Sequence, residues 1–195
     1  MKPAIVVFGA QTSRGALVAR QYGNDGYDVV LVAEHAESLS ALITILTSEG
    51  VYPQTFIGPL TSPEQAAELI RTIRVTIGPI DALFYSSPSQ PERYLDEVER
   101  PFDLTLASIV REVLPQMRAR RAGTLLVAPS LYAEHDSRLS ATHRYLQFLQ
   151  RGLVNDGVHI STLTVGSLFC QEHVLPLGLI PEDDASRHTS NSSFL

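Results

Sequence analysis

The residues best placed to do chemistry stand near the start of the chain. An apolar run, Ala4 to Phe8, leads into Gly9-Ala10-Gln11-Thr12-Ser13-Arg14-Gly15 and a helical stretch, with a second apolar run at Val29 to Ala33. Strand, glycine-spaced turn and helix in this order form the phosphate-binding opening of a nucleotide-binding α/β fold. Gly9 supplies the tight turn off the strand. Gly15 lets the helix pack close, so that backbone N–H groups and the positive end of the helix face a pyrophosphate. Ser13 occupies the place of the middle glycine, where a phosphate would approach the backbone most closely. Two readings stay open: the loop binds a nucleotide, or it persists only for its turn geometry. In the first, Gly9, Gln11, Ser13, Arg14 and Gly15 line the phosphates. Glu34, nineteen residues beyond Gly15, then falls near the ribose, where its charge repels a 2′-phosphate and favours NAD over NADP. Arg14 either offsets phosphate charge or is an exposed side chain at the helix start.

Other reactive side chains are less organised. His135-Asp136, with Glu134 and the distant His143 or His173, lacks the spacing that brings metal ligands onto one face, so no metal site is expected. Cys170 is the single cysteine. It has no hydrolase motif around it and reads as a small buried thiol.

Composition bounds the function classes. The chain has 195 residues, 44% hydrophobic and 18% charged, with a net charge of −6 and a pI near 5.5. That size suits one domain, and the acidity argues against general binding to nucleic acid or anionic membranes. The arginines between 111 and 121 read as a solvated helix end. One cysteine fits a reducing cytoplasm, and the apolar run before Gly9 is too short for a signal peptide or a membrane span.

The elements that must position the loop follow from periodicity. Apolar runs at Ala4–Phe8, Asp28–Ala33, Tyr52–Ile57, Asp81–Tyr85, Gly123–Ala128 and Val158–Thr164 alternate with helical stretches at Ser13–Tyr22, Ala36–Glu49, Pro63–Thr76, Phe102–Arg120 and Ser137–Asn155. This predicts a doubly wound, Rossmann-like α/β domain with a parallel sheet of about six strands and no clear seventh. It spans residues 1–180, followed by a polar tail over 181–195. Ser62-Pro63-Glu64 is a helix start and Gly78-Pro79 the stop of the same helix. Leu39, Leu42, Ile43 and Leu46 form one buried helix face.

The order and spacing of these pieces resemble the short-chain dehydrogenase/reductase family over most of residues 4–166. The resemblance rests on the Gly9–Gly15 loop, Thr61-Ser62-Pro63-Glu64-Gln65 and Ile80-Asp81-Ala82-Leu83, and on Val113-Leu114-Pro115-Gln116-Met117-Arg118-Ala119-Arg120 followed by Gly123–Ala128. It implies a dinucleotide cofactor and a catalytic Ser with Tyr-x-x-x-Lys, in which the tyrosine moves the substrate proton. Several family positions are changed here. Tyr85-Ser86-Ser87-Pro88 replaces Asn-Asn-Ala-Gly, which would place Ser86 beside the cofactor. Pro59 stands at the adenine-contacting aspartate, and Ala33, not Glu34, at the usual NAD-selecting acid. Phe102 or Asp103 falls at the catalytic asparagine. Ser130 falls at the catalytic serine, Leu139 at the tyrosine and His143 at the lysine. Leucine moves no proton, so a substitute would have to come from His143, Tyr132, His135 or Tyr145, with His143 chemically best suited. Val165-Gly166 replaces Pro-Gly, and the substrate-covering region is reduced.

In the family, the helices matching Phe102–Arg120 and Ser137–Asn155 build the dimer. Here the second is apolar on more than one face, through Leu139, Tyr145, Leu146, Phe148, Leu149 and Leu153, which predicts burial against a homo- or hetero-oligomeric partner. Two functions follow. One is a degenerate homologue acting as a non-catalytic or structural partner subunit, with weak or no binding of NAD or NADP. The other is an atypical family enzyme with a substitute proton donor, either redox or non-redox.

Overall fold

A computed structural model describes residues 2–60, 62–86, 103–128 and 141–163. Six strands, β1 (Ala4–Phe8), β2 (Asp28–Ala33), β3 (Gln54–Ile57), β4 (Ala82–Ser86), β5 (Gly123–Ala128) and β6 (Val158–Thr162), alternate with five helices. These are α1 (Ser13–Asn24), α2 (Ser40–Ser48), α3 (Pro63–Ile77), α4 (Leu104–Arg120) and α5 (Ala141–Leu153), with a 3₁₀ turn over Ala36–Leu39 leading into α2. The strands form one sheet in the order β3-β2-β1-β4-β5-β6, every pair parallel. Strand order reverses between β1 and β4, and ligands of open α/β sheets bind at the strand C-termini beside such a reversal.

Side-chain alternation divides the core into two layers. Val6, Phe8, Val30, Val32, Leu83 and Tyr85 pack under α3, α4 and α5. Ile5, Val7, Val29, Leu31, Ala82 and Phe84 pack under α1 and α2. Burial on both faces explains why β1 reads as an uninterrupted apolar run. The same expectation fails for β3. It is the sheet edge, largely exposed, and Tyr52, expected to open it, lies outside the strand at 78% exposure.

Local signals are realised with small shifts. Ser62 and Gln65 form a reciprocal capping box with Pro63 in the first turn, and Gly78 ends α3 at φ 89°. The predicted helix at Ala36–Glu49 divides into the 3₁₀ turn and α2, with Leu39, Leu42 and Leu46 buried and Ile43 packed at the core margin. At the N-terminal end of the strands, opposite the loop, Asp81 accepts the Ala4 N–H at 2.8 Å and pairs with Arg120 at 2.6 Å. Arg120 also donates to the Ile80 carbonyl. The acid that opens β4 is thus a structural tie between β1, β4 and the end of α4.

The expected tail over 181–195, Cys170 and any seventh strand lie outside the described residues. Among the described residues no group of three or more His, Cys, Asp or Glu could hold a metal, and no helix is long and apolar enough to cross a membrane.

Candidate functional site

At the C-terminal end of β1 the backbone turns at Gly9, which takes φ 78°. A Cβ there would lie 2.9 Å from Ser86 Cβ and 3.0 Å from the Ser86 carbonyl oxygen. A Cβ on Gly15 would lie 2.3 Å from the Gly9 carbonyl oxygen. Both glycines are therefore steric requirements: one seats the loop on the end of β4, the other seats α1 on the loop. Thr12 fixes the turn between them. Its hydroxyl donates to the Gly9 carbonyl at 2.8 Å, its oxygen accepts the Gly15 N–H at 3.0 Å, and its own N–H reaches the same Gly9 carbonyl. Thr12 is the N-cap of α1, a role that sequence reasoning missed although a threonine directly before a helical run signals it.

The loop therefore brings Gly9, Gly15 and Ser86 together. Ser86 is buried and forms the seat of the turn. Gln11 and Ser13 are exposed at the helix entrance. Arg14 departs from its exposed reading, for it is only 8% exposed. A cation in the first helical turn opposes the helix dipole, and a buried guanidinium keeps its hydrogen bonds, so this position is built in rather than solvated.

At the exits of β2 and β3, the Glu34 carboxylate accepts the Leu60 N–H at 3.2 Å, and the Gly58 N–H donates to the Ala33 carbonyl at 3.2 Å. Glu34 thus ties the end of β2 to the turn containing Pro59. Ala33 itself is buried and offers no acid.

On the other side of the strand-order reversal, the Tyr85 hydroxyl donates to Asp103 Oδ2 at 2.9 Å. Asp103 Oδ1 accepts the Leu106 N–H at 2.9 Å as the N-cap of α4, and the Asp103 N–H donates to Thr142 Oγ1 at 3.1 Å. Three elements, β4, α4 and α5, meet in this chain of bonds. Asp103 is thus a cap at the helix entrance, and Phe102, the other candidate for the asparagine position, lies outside the described residues. His143, next to Thr142 on α5, is half-buried and shares a 3.0 Å contact with Gln147. Tyr145 packs against the core, and burial pushes its hydroxyl pKa up, away from general-acid work near neutrality. Ser130, Tyr132, His135 and Leu139 lie outside the described residues.

Fit to a dinucleotide differs along the site. The phosphate segment fits, with a left-handed glycine, a close-packed second glycine and a helix N-terminus at the sheet reversal. The adenine segment fits poorly, because Pro59 has no side-chain acceptor.

A parallel sheet in 3-2-1-4-5-6 order with a glycine turn at β1 defines the doubly wound, Rossmann-like class. Within that class the chain belongs to the short-chain dehydrogenase family, whose model matches residues 3–142. No curated protein matches the sequence, but solved structures share its fold. A metagenomic short-chain oxidoreductase in complex with NADP has a TM-score of 0.68 at 20% identity, covering 86% of this chain and 84% of its own. A short-chain dehydrogenase from Streptomyces avermitilis has a TM-score of 0.65 at 20% identity, covering 83% of this chain and 65% of its own. L-Sorbose reductase from Gluconobacter frateurii, complexed with NADPH and L-sorbose, has a TM-score of 0.66 at 17% identity, covering 83% and 68% respectively. At these identities the likeness establishes the fold.

Proposed function

We propose that this chain is a non-catalytic member of the short-chain dehydrogenase family, acting as a partner subunit that binds a nicotinamide dinucleotide weakly or not at all. The observation that carries this reading is the Tyr85–Asp103–Thr142 chain. At the C-terminal end of β4 and the starts of α4 and α5, where the family's proton-handling groups gather, the Tyr85 hydroxyl is here bonded to the Asp103 carboxylate and the Thr142 hydroxyl to the Asp103 main-chain N–H. Leu139 at the tyrosine position adds a residue unable to move a proton, and His143 stands for the lysine. The phosphate loop supports residual affinity for NAD(H) or NADP(H), as the NADP and NADPH complexes of its structural neighbours suggest. Glu34 weighs toward NAD.

Titration calorimetry with NAD+, NADH, NADP+ and NADPH tests the cofactor half. The expected result is a dissociation constant on the order of 1 mM or weaker, equivalent to roughly −4 kcal/mol or less favourable. Micromolar binding of any of the four would overturn it.

A second reading draws on one observation. Thr142 ties α5 to the Asp103 cap, which holds the adjacent His143 near the sheet's C-terminal edge, so an atypical enzyme would use His143 as its proton donor. His143→Ala would then abolish activity.

A further inference from the structure

β3 ends the sheet, and among the described residues no strand pairs with its outer side. Its register on β2 and the bond from the Gly58 N–H to the Ala33 carbonyl fix which backbone groups face inward. Alternate residues of a parallel strand bond to the same neighbour, so Gln54, Phe56 and Gly58 bond to β2, whereas the N–H and C=O groups of Thr55 and Ile57 point away from the sheet. Natural edges of this kind are blunted by lysine or by proline. In a chain of net charge −6, no charged residue occurs over residues 50–63, and the edge is guarded only by Pro53 and Pro59. Both prolines share the outward parity of Thr55 and Ile57, where a missing N–H costs the ladder to β2 nothing.

The two prolines stand symmetrically about Phe56, three residues to either side. That symmetry selects the occupant. A second copy of the strand, laid antiparallel across a twofold axis at Phe56, sets Thr55 opposite Ile57 of the other copy, Phe56 opposite Phe56 and Pro53 opposite Pro59. Thr55 and Ile57 then exchange N–H···O bonds in both directions, every outward group of both is satisfied, and the ladder stops where the prolines meet. The next bonded register on either side sets Ile57 against Pro53 or Thr55 against Pro59 and strands a carbonyl. The side chains agree with the symmetric register. Thr55 and Ile57 are exposed and form β-branched cross-strand pairs on one face, while the two Phe56 rings meet on the other at the closer, non-hydrogen-bonded position. Tyr52, 78% exposed, flanks each end of the ladder. The uncharged strand brings no like-charge repulsion to the pair. We infer that the outer edge of β3 is a self-association edge, joining the six-stranded sheets of two copies of this chain into one continuous sheet. Each copy offers one such edge, so the pairing closes at two.

A short ladder is a small interface, so sedimentation velocity is run up to on the order of 1 mM protein, the range of a weak complex. Thr55→Pro removes an outward N–H and leaves the bonds to β2 intact. Ile57→Lys places a charge on a side chain already 46% exposed. Circular dichroism melts check that both variants fold. The expected result is that each lowers the assembly by one twofold step, dimer to monomer or tetramer to dimer, and that Phe148→Asp on α5 does not remove that step. Amide exchange followed by NMR gives a second readout that needs no variant: exchange at Thr55 and Ile57 slows as the wild-type concentration rises, while exchange at Phe56, held by β2, stays the same. A wild type that is monomeric at the highest concentration, an assembly unchanged by both variants, or one lost only in Phe148→Asp would overturn the inference. So would exchange at Thr55 and Ile57 that is independent of concentration, and this decides the matter even where a substitution unfolds the chain. Neither readout involves cofactor or hydride transfer, so the inference and the proposed function fail separately.

Discussion

Gly15→Ala is expected to destabilise the protein by about 3 kcal/mol and to eliminate any residual dinucleotide binding, the largest effect of a single methyl group in the molecule's candidate site. The added Cβ would sit 2.3 Å from the Gly9 carbonyl oxygen and 2.9 Å from the Ala10 Cα. Both obstacles are backbone, which cannot rotate aside as a side chain can, so α1 must lift from β1. Overpacking of this kind costs about 1–3 kcal/mol and occasionally more. Lifting α1 also lengthens the bond from the Gly15 N–H to Thr12, and the turn loses its cap. Urea denaturation measures the stability change. Gly152→Ala is the useful comparison, because Gly152 is also a glycine within a helix but has open space around its Cβ position. It should lose no stability, because alanine is the better helix former, so the difference between the two variants isolates the steric clash at Gly15.

Asp103→Ala is expected to cost about 2–4 kcal/mol. Loss of the N-cap of α4 accounts for about 1 kcal/mol. Removal of the Asp103 acceptor of the part-buried Tyr85 hydroxyl adds about 1–3 kcal/mol. Tyr85→Phe alone removes a hydroxyl without stranding one and should cost only about 1 kcal/mol. In the double variant the two losses overlap, so the combined cost falls short of their sum. Chemical denaturation of the four proteins in a double-mutant cycle reads this directly. Strict additivity would mean that Tyr85 and Asp103 act independently, which would remove the observation on which the non-catalytic reading rests.

The sequence made the scaffold legible because its signals are local. Uninterrupted apolar runs marked the strands buried on both faces, and Ser62-Pro63 and Gly78-Pro79 marked the ends of α3 by capping chemistry alone. The same reasoning misjudged β3, since composition carries no information on which strand ends a sheet. It left Arg14 open between a phosphate contact and an exposed side chain for a related reason: exposure at a helix start depends on what the rest of the chain lays over it. In the site, Gly9 and Gly15 were readable from their spacing, and their contacts with Ser86 and the Gly9 carbonyl supply the physical cause. The Tyr85–Asp103–Thr142 chain was not readable. Its members lie 18 and 39 residues apart, and nothing short of the folded sheet brings them together. Alignment to the family marked two of those positions as departures, whereas the fold turns them into bonded partners. Phe148 shows the converse. Its apolar character on α5 was plain, but its 74% exposure follows only from how α5 sits on the sheet.

The central claim is that the family's hydride chemistry is absent. Its most direct test is transfer of deuterium from C4-deuterated NADH and NADPH to a panel of aldehydes and ketones, read by mass spectrometry of the product alcohols at saturating cofactor. The account predicts no label above the enzyme-free background for any carbonyl. Stereospecific label in an alcohol, lost in the His143→Ala variant, would contradict it.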